Sequence, residues 1–149
     1  MKTLAHVVLG VKRVLGTHLF TAEEIRRFAG AFDPQPFHMD EAAAKASQFG
    51  GLCASGWHTA SIWMRLMVDD MRARGADPAM FGPSPGFQDM RWLKPVFAGD
   101  SITYATKPIE KRPLATRPEW GLLASENTGA NQHGTEVFRF TGLVFVTRA

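Results

Sequence analysis

Residues 4 to 15, LAHVVLGVKRVL, are dense in apolar and β-branched side chains and predict a first strand, bent at Gly10. The rhythm then turns helical in TAEEIRRFAGAF. Thr21 is a suitable N-cap, Glu24 three residues later makes a capping box, and Ile25, Phe28 and Ala29 share one face. Gly30 marks the expected end of this helix. A short helix is expected in DEAAAKAS, with Asp40 near its start, where a carboxylate suits the helix dipole. QFGGLCASG reads as a loop. From Gly56 onward, GWHTASIWMRLMVDDMRARG is the longest helical segment. Trp57, Ala60, Met64, Met67, Val68 and Met71 recur at three- and four-residue steps, and Ile62, Trp63 and Leu66 widen the stripe. A helix apolar over so much of its girth is expected to be wrapped by other structure. Arg72 and Arg74 suit its last turn, and Gly75 a left-handed cap.

Beyond residue 75 the rhythm changes to that of strands. ADPAMFGPSPG is a turn-rich loop, and FQDMRWLKPV, SITYATKPIEK, WGLLASENTG and TEVFRFTGLVFVTR predict four strands, with residues Asn127 to Gly134 as the last hairpin. One strand, helices including a long one, and four further strands predict an α+β domain. Its antiparallel sheet of about five strands curls round the long helix. With 149 residues and no repeat or linker, a single domain spanning 1–149 is expected. A sheet with an open edge predicts self-association.

Composition narrows the class. The net charge of +3 is spread over scattered Lys and Arg residues. It lacks the interleaved aromatic pattern of an RNA-binding sheet, so no nucleic-acid partner is expected. A mild positive balance suits a small phosphorylated ligand. No segment has the roughly 18–20 uninterrupted apolar residues of a membrane span. The N-terminus does not read as a signal peptide. The single cysteine, Cys53, excludes an internal disulfide, and a cytoplasmic location is expected.

The stretch FDPQPFHMD, residues 32–40, carries the chemistry worth testing. Prolines 34 and 36 stiffen the backbone between Asp33 and His38. Fully extended, five steps at roughly 3.1 Å each would part the two by about 15 Å, so they can meet only if the chain turns near Pro36–Phe37. Meeting, they could handle a water: the aspartate holds it and the histidine takes its proton. Local spacing equally allows Asp33 to cap a turn while His38 pairs with Asp40. ASGWH offers a second feature, a glycine at a helix start whose free amide can meet an oxyanion. The plain alternative is Ser55 as N-cap and Gly56 as a packing residue. His58 is expected to be a packed side chain, His6, His18 and His133 isolated, Cys53 an inert buried thiol. No cluster has metal-ligand spacing, so neither a metal nor a separate cofactor is expected.

Taken together and in order, Asp33-Pro34-Gln35-Pro36-Phe37-His38, Phe49 through Gly56, and Lys94-Pro95-Val96 through Gly99-Asp100 resemble the MaoC-like dehydratase family, which includes (R)-specific enoyl-CoA hydratases. The resemblance covers roughly residues 15 to 145. It implies the hot-dog fold, a homodimer or larger homo-oligomer, and an acyl-CoA thioester as small-molecule partner, with coenzyme A part of the substrate. It further implies hydro-lyase activity: water adds across a 2-enoyl-CoA, or leaves a 3-hydroxyacyl-CoA, as in fatty acid metabolism. Asp33 and His38 fall on the family's hydratase pair, and Gly56, with Ser55 beside it, on the oxyanion donor. The family often has Asn at the position of Gln35 and His at that of Ser55. A hydroxyl found further along the long helix in some hydratases falls near Met64, with Ser61 and Thr59 only approximate substitutes. Two alternatives stay open. One is a hot-dog acyl-CoA thioesterase working through Asp69 or Asp70; the other is a non-catalytic acyl-CoA-binding module.

Overall fold

A computed structural model describes residues 3–148. Five strands form one antiparallel sheet in the order β1-β3-β4-β5-β2: β1 (Arg13–Leu19), β2 (Gly86–Trp92), β3 (Ser101–Leu114), β4 (Arg117–Ala130) and β5 (Glu136–Thr147). Four α-helices lie between β1 and β2: α1 (Ala22–Phe32), α2 (Pro36–Met39), α3 (Glu41–Ala46) and α4 (Gly56–Ala73), followed by a 3-10 turn at Pro78–Met80. This is the α+β, hot-dog-type arrangement that the sequence predicts. The sheet is open, with β1 and β2 as its edges.

Several local expectations need correction. Residues 4–12 are not strand: Leu4–His6 make a 3-10 turn, and β1 begins at Arg13. Leu4 and Val7 are buried with Met80, Leu123 and Val146, a three-residue spacing that a turn satisfies and a strand does not. Gly10 then takes a left-handed φ of 79°, which ends any extended run. Helix α1 passes through Gly30 to Phe32. A lone glycine weakens a helix without ending it; the stop comes at Asp33, which Pro34 forces out of the helical region. The last hairpin is shorter than expected, because Asn127 lies within β4 and the turn is confined to residues 131–135.

The core joins the sheet to α4. Phe20, Ile102, Tyr104, Val137, Phe138 and Phe140 pack with Ala60, Ile62, Trp63 and Leu66 of the helix. Tyr104 Oη donates to the Thr59 carbonyl at 2.8 Å, tying the first turns of α4 to the middle of the sheet. Gly75 takes φ 64° just beyond the helix, as a left-handed cap requires. The sheet does not enclose α4: only His58 and Thr59 are fully buried, while Trp57 and Met64 are 56% and 53% exposed. Five strands cover one side of the helix and leave the other uncovered. Among the described residues, no helix is long and apolar enough to cross a membrane.

Candidate active site

The turn that the proline-bearing stretch needs is helix α2. Pro36 occupies its first turn, where a missing N–H costs nothing and a fixed φ suits the helix. Gln35 stays extended as its N-cap, and the His38 amide donates back to the Gln35 carbonyl at 3.0 Å. One helical turn therefore replaces the extended path and brings His38 back over Asp33. Nε2 of His38 lies 3.3 Å from Asp33 Oδ2. Asp40 takes no part: its carboxylate caps α3, accepting from the Ala43 amide at 2.8 Å.

His38 is fixed from behind as well. Its Nδ1 is 2.6 Å from the Cys53 carbonyl, which can only accept, so Nδ1 carries a proton, and in the neutral tautomer this allows it is Nε2, the nitrogen facing Asp33, that is bare. That tautomer is the one a general base needs. The Cys53 amide in turn donates to the Phe37 carbonyl at 3.2 Å, so the same short segment holds both the ring and the backbone beside it.

On Asp33, burial is the largest single influence and opposes ionisation. The Gln35 hydrogen bond, the Ser55 hydroxyl and the charge of His38 together outweigh it and hold the carboxyl below its ordinary value. Gln35 Nε2 donates to Asp33 Oδ1 at 2.6 Å. Ser55 acts more remotely: its Oγ is buried and has no partner at hydrogen-bond distance, so it contributes a dipole across a gap. Ser55 occupies the N-cap position of α4 but makes no side-chain cap bond, so only the packing half of the plain alternative, Gly56 set close against a neighbouring side chain, is present. The first turn of α4 thus keeps its leading amides free: among the described residues, neither Gly56 nor Trp57 N–H has an acceptor.

These groups meet at one cavity of about 470 Å³, with Asp33, Gln35, His38 and Gly56 in walls otherwise built largely from Phe37, Phe49, Trp57, Trp92 and Val96. The volume is within the range of small-molecule sites, and the mix of apolar walls and few polar groups is typical of them. Ser55 lies behind this surface and not on it.

The remaining candidates sort themselves. Cys53 lines the cavity, but burial pushes its thiol up to about 11, so it is a neutral S–H near pH 7 and a poor nucleophile. Asp69 is paired with Arg65 at 2.8 Å and Asp70 with Arg13 at 3.0 Å, and neither reaches the cavity wall, which removes the geometry a thioesterase carboxylate would need. His58 is packed as expected, stacked on Phe28 with centroids 4.7 Å apart. His18 is not isolated: its Nε2 lies 2.8 Å from Glu24 Oε1, and the same oxygen is 3.1 Å from His58 Nε2. Glu24 has therefore left the capping box half made, with only the Thr21 side chain accepting from the Glu24 amide. Among the described residues, no three His, Cys, Asp or Glu side chains are arranged to hold a metal ion.

Residues 10–127 match the MaoC like domain family. The chain belongs to the MaoC-like dehydratase family. An uncharacterized Bacillus subtilis protein, YdeM, is 32% identical over 126 residues, 85% of each chain. A MaoC-like dehydratase from Rhodospirillum rubrum is 36% identical, with a TM-score of 0.85 over 99% of this chain and 97% of that one. An (R)-hydratase from A. caviae involved in PHA biosynthesis shares the fold, at 20% identity and a TM-score of 0.70 over 93% and 96% of the two chains.

Two cavity residues of this MaoC-like chain carry no signal in local sequence. Gln35 reads as a spacer between prolines until its amide is seen on Asp33. Trp92 reads as one aromatic in a strand, and only tertiary pairing brings it to Gly56, 36 residues away.

Proposed function

We propose that the protein is a hydratase/dehydratase of acyl-CoA thioesters, interconverting a 2-enoyl-CoA and a 3-hydroxyacyl-CoA. The observation that carries this reading is the 3.3 Å approach of His38 Nε2 to Asp33 Oδ2 in the wall of a cavity that also exposes Gly56 at the start of α4. Membership of the MaoC-like family and the shared fold of an (R)-hydratase support it.

In the hydration direction, a water held between Asp33 and His38 adds its oxygen to the β-carbon while Nε2 of His38 takes its proton. Negative charge moves to the thioester oxygen, where the Gly56 amide and the positive end of α4 stabilise it. The short gap between the two side chains lets the proton pass to Asp33 and on to the α-carbon. Hydroxyl and proton from one water are then both on the product, and the pair ends as it began. A carboxylate held ionised and a ring of fixed tautomer are ready before substrate arrives. Neither a metal nor a further cofactor has a part in this sequence.

The uncovered side of α4 gives the reading its quaternary form. Trp57 and Met64 on the helix and Phe87 and Trp92 on the edge strand β2 are each about half exposed, and a second copy of the chain meeting at this edge would bury them. The reading is tested by incubating wild-type protein with short- and long-chain 2-enoyl-CoA thioesters and following the enoyl absorbance. Loss of absorbance with at least one chain length is expected; no loss with any would overturn it, and calorimetric binding without turnover would favour an acyl-CoA-binding module instead.

A further inference from the structure

Trp92, the last residue of β2, is joined to the start of α4 by two independent contacts. Its indole Nε1–H donates to the Gly56 carbonyl at 2.8 Å. The ring also fills the space beside the Gly56 Cα: a Cβ added there would stand 2.6 Å from Cε2 and 2.7 Å from Nε1, closer than real Cβ contacts come. Gly56 has no positive φ, so its backbone would accept any residue; the indole alone reserves the position for glycine.

The clamp is itself held. Trp92 pairs in register with Phe138 of β5, which is fully buried, and their rings lie 6.2 Å apart. Trp57 packs edge-to-face with the indole, centroids 5.2 Å apart at 74°. The sheet thus reaches the first turns of α4 at two points, Trp92 on the Gly56 carbonyl and Tyr104 on the Thr59 carbonyl.

We propose that Trp92 is a positioning residue, whose indole fixes the Gly56 carbonyl and Cα face and thereby keeps the Gly56 N–H aimed at the thioester oxygen. The inference rests on the Gly56 amide being the oxyanion donor of the proposed reaction. A donor of this kind works because it is aimed before charge develops, and displacement of a reacting group by about 1 Å can cost about 100-fold in rate. Trp92 acts through Gly56.

Three single variants and one double variant test it. Trp92→Phe keeps a ring and removes the N–H; kcat for enoyl-CoA hydration falls about tenfold with KM within about twofold of wild type, and Trp92→Ala lowers kcat about 100-fold. Gly56→Ala costs at least about 100-fold in wild type but under about threefold more in the Trp92→Ala background, because the clashing ring is gone. Wild-type kcat in both tryptophan variants, a change in KM alone, or equal damage from Gly56→Ala in both backgrounds overturns the clamp. Should wild type hydrate no enoyl-CoA, the proposed reaction fails while the clamp is still decided by NMR. Trp92→Phe must then lower the heteronuclear NOE of the Gly56 amide, which reports how firmly the N–H vector is held, and an unchanged value refutes it.

Discussion

Replacing Glu24 by alanine removes one carboxylate from three elements at once. Glu24 belongs to the first turn of α1, and its oxygens accept from His18 on β1 at 2.8 Å and from His58 on α4 at 3.1 Å. His58 is 2% exposed, and burial, the largest influence on its ring, pulls its pKa below the ordinary 6.5 despite the opposing pull of Glu24. It is therefore neutral at pH 7 and donates from Nε2, while Nδ1 has no partner. Glu24→Ala strands that buried N–H, which costs about 1–3 kcal/mol, and removes a favourable helix N-terminal charge worth about 0.3–1 kcal/mol. A loss of about 1–4 kcal/mol corresponds to a fall in Tm of roughly 3–15 °C for a chain of this size. Urea unfolding monitored by tryptophan fluorescence measures it, with Glu23→Ala as the control. The Glu23 side chain is 84% exposed, and its loss should stay within about 0.5 kcal/mol. If the two variants are equally stable, the shared carboxylate contributes nothing and the reasoning is wrong.

The same histidine gives a pH dependence. Because the folded state holds His58 below 6.5, the unfolded chain binds a proton that the folded one refuses. This contribution to stability is complete above about pH 6.5 and is lost as pH falls toward the lowered value; His58→Leu should flatten that slope, and an unchanged slope would refute the assignment. Gln35→Leu removes the hydrogen bond that helps keep Asp33 ionised, so the acid limb of the hydration rate should move to higher pH; a limb that stays put would show that Gln35 does not tune the carboxylate. Cys53, with its thiol near 11, should resist iodoacetamide at pH 7.5, and Cys53→Ala should keep most of the activity; rapid alkylation with loss of activity would contradict the inert reading. In solution the chain should sediment as a dimer or larger oligomer, and Met64→Asp should weaken it; a wild-type monomer at micromolar concentration would leave the apolar side of α4 unexplained.

What could be read from residue order depended on how local the cause was. Thr21 and Asp40 cap helices because the amides they serve are three residues away, and both bonds form. The stripe of α4 is local too, and the helix runs Gly56–Ala73 as its spacing requires. Its enclosure was not local. Whether Met64 meets protein or solvent depends on how far five strands reach, which periodicity does not encode. Residues 4–12 looked like strand because Val7, Val8 and Val11 have strand propensity, yet the positive φ at Gly10 and the burial of Leu4 and Val7 in a separate cluster decided otherwise. For the site, Asp33 and His38 were visible as residues and their meeting was not. It required Pro36 to begin a helical turn, a choice that an X-Pro-X-Pro stretch leaves open. The Cys53 carbonyl behind His38 and the Trp92 indole on Gly56 lie 15 and 36 residues from the residues they hold.

The central claim is that Asp33 and His38 work as one unit on a water. It is tested most directly by hydration of a 2-enoyl-CoA substrate of the wild type, compared with Asp33→Asn, His38→Gln and the double variant, all checked for folding by circular dichroism. Groups that act together are strongly non-additive. Each single substitution is predicted to lower kcat by about 10³-fold or more, with the double variant little worse than either. A single variant close to wild-type activity, or two losses that simply multiply in the double variant, would contradict a shared water held between these side chains.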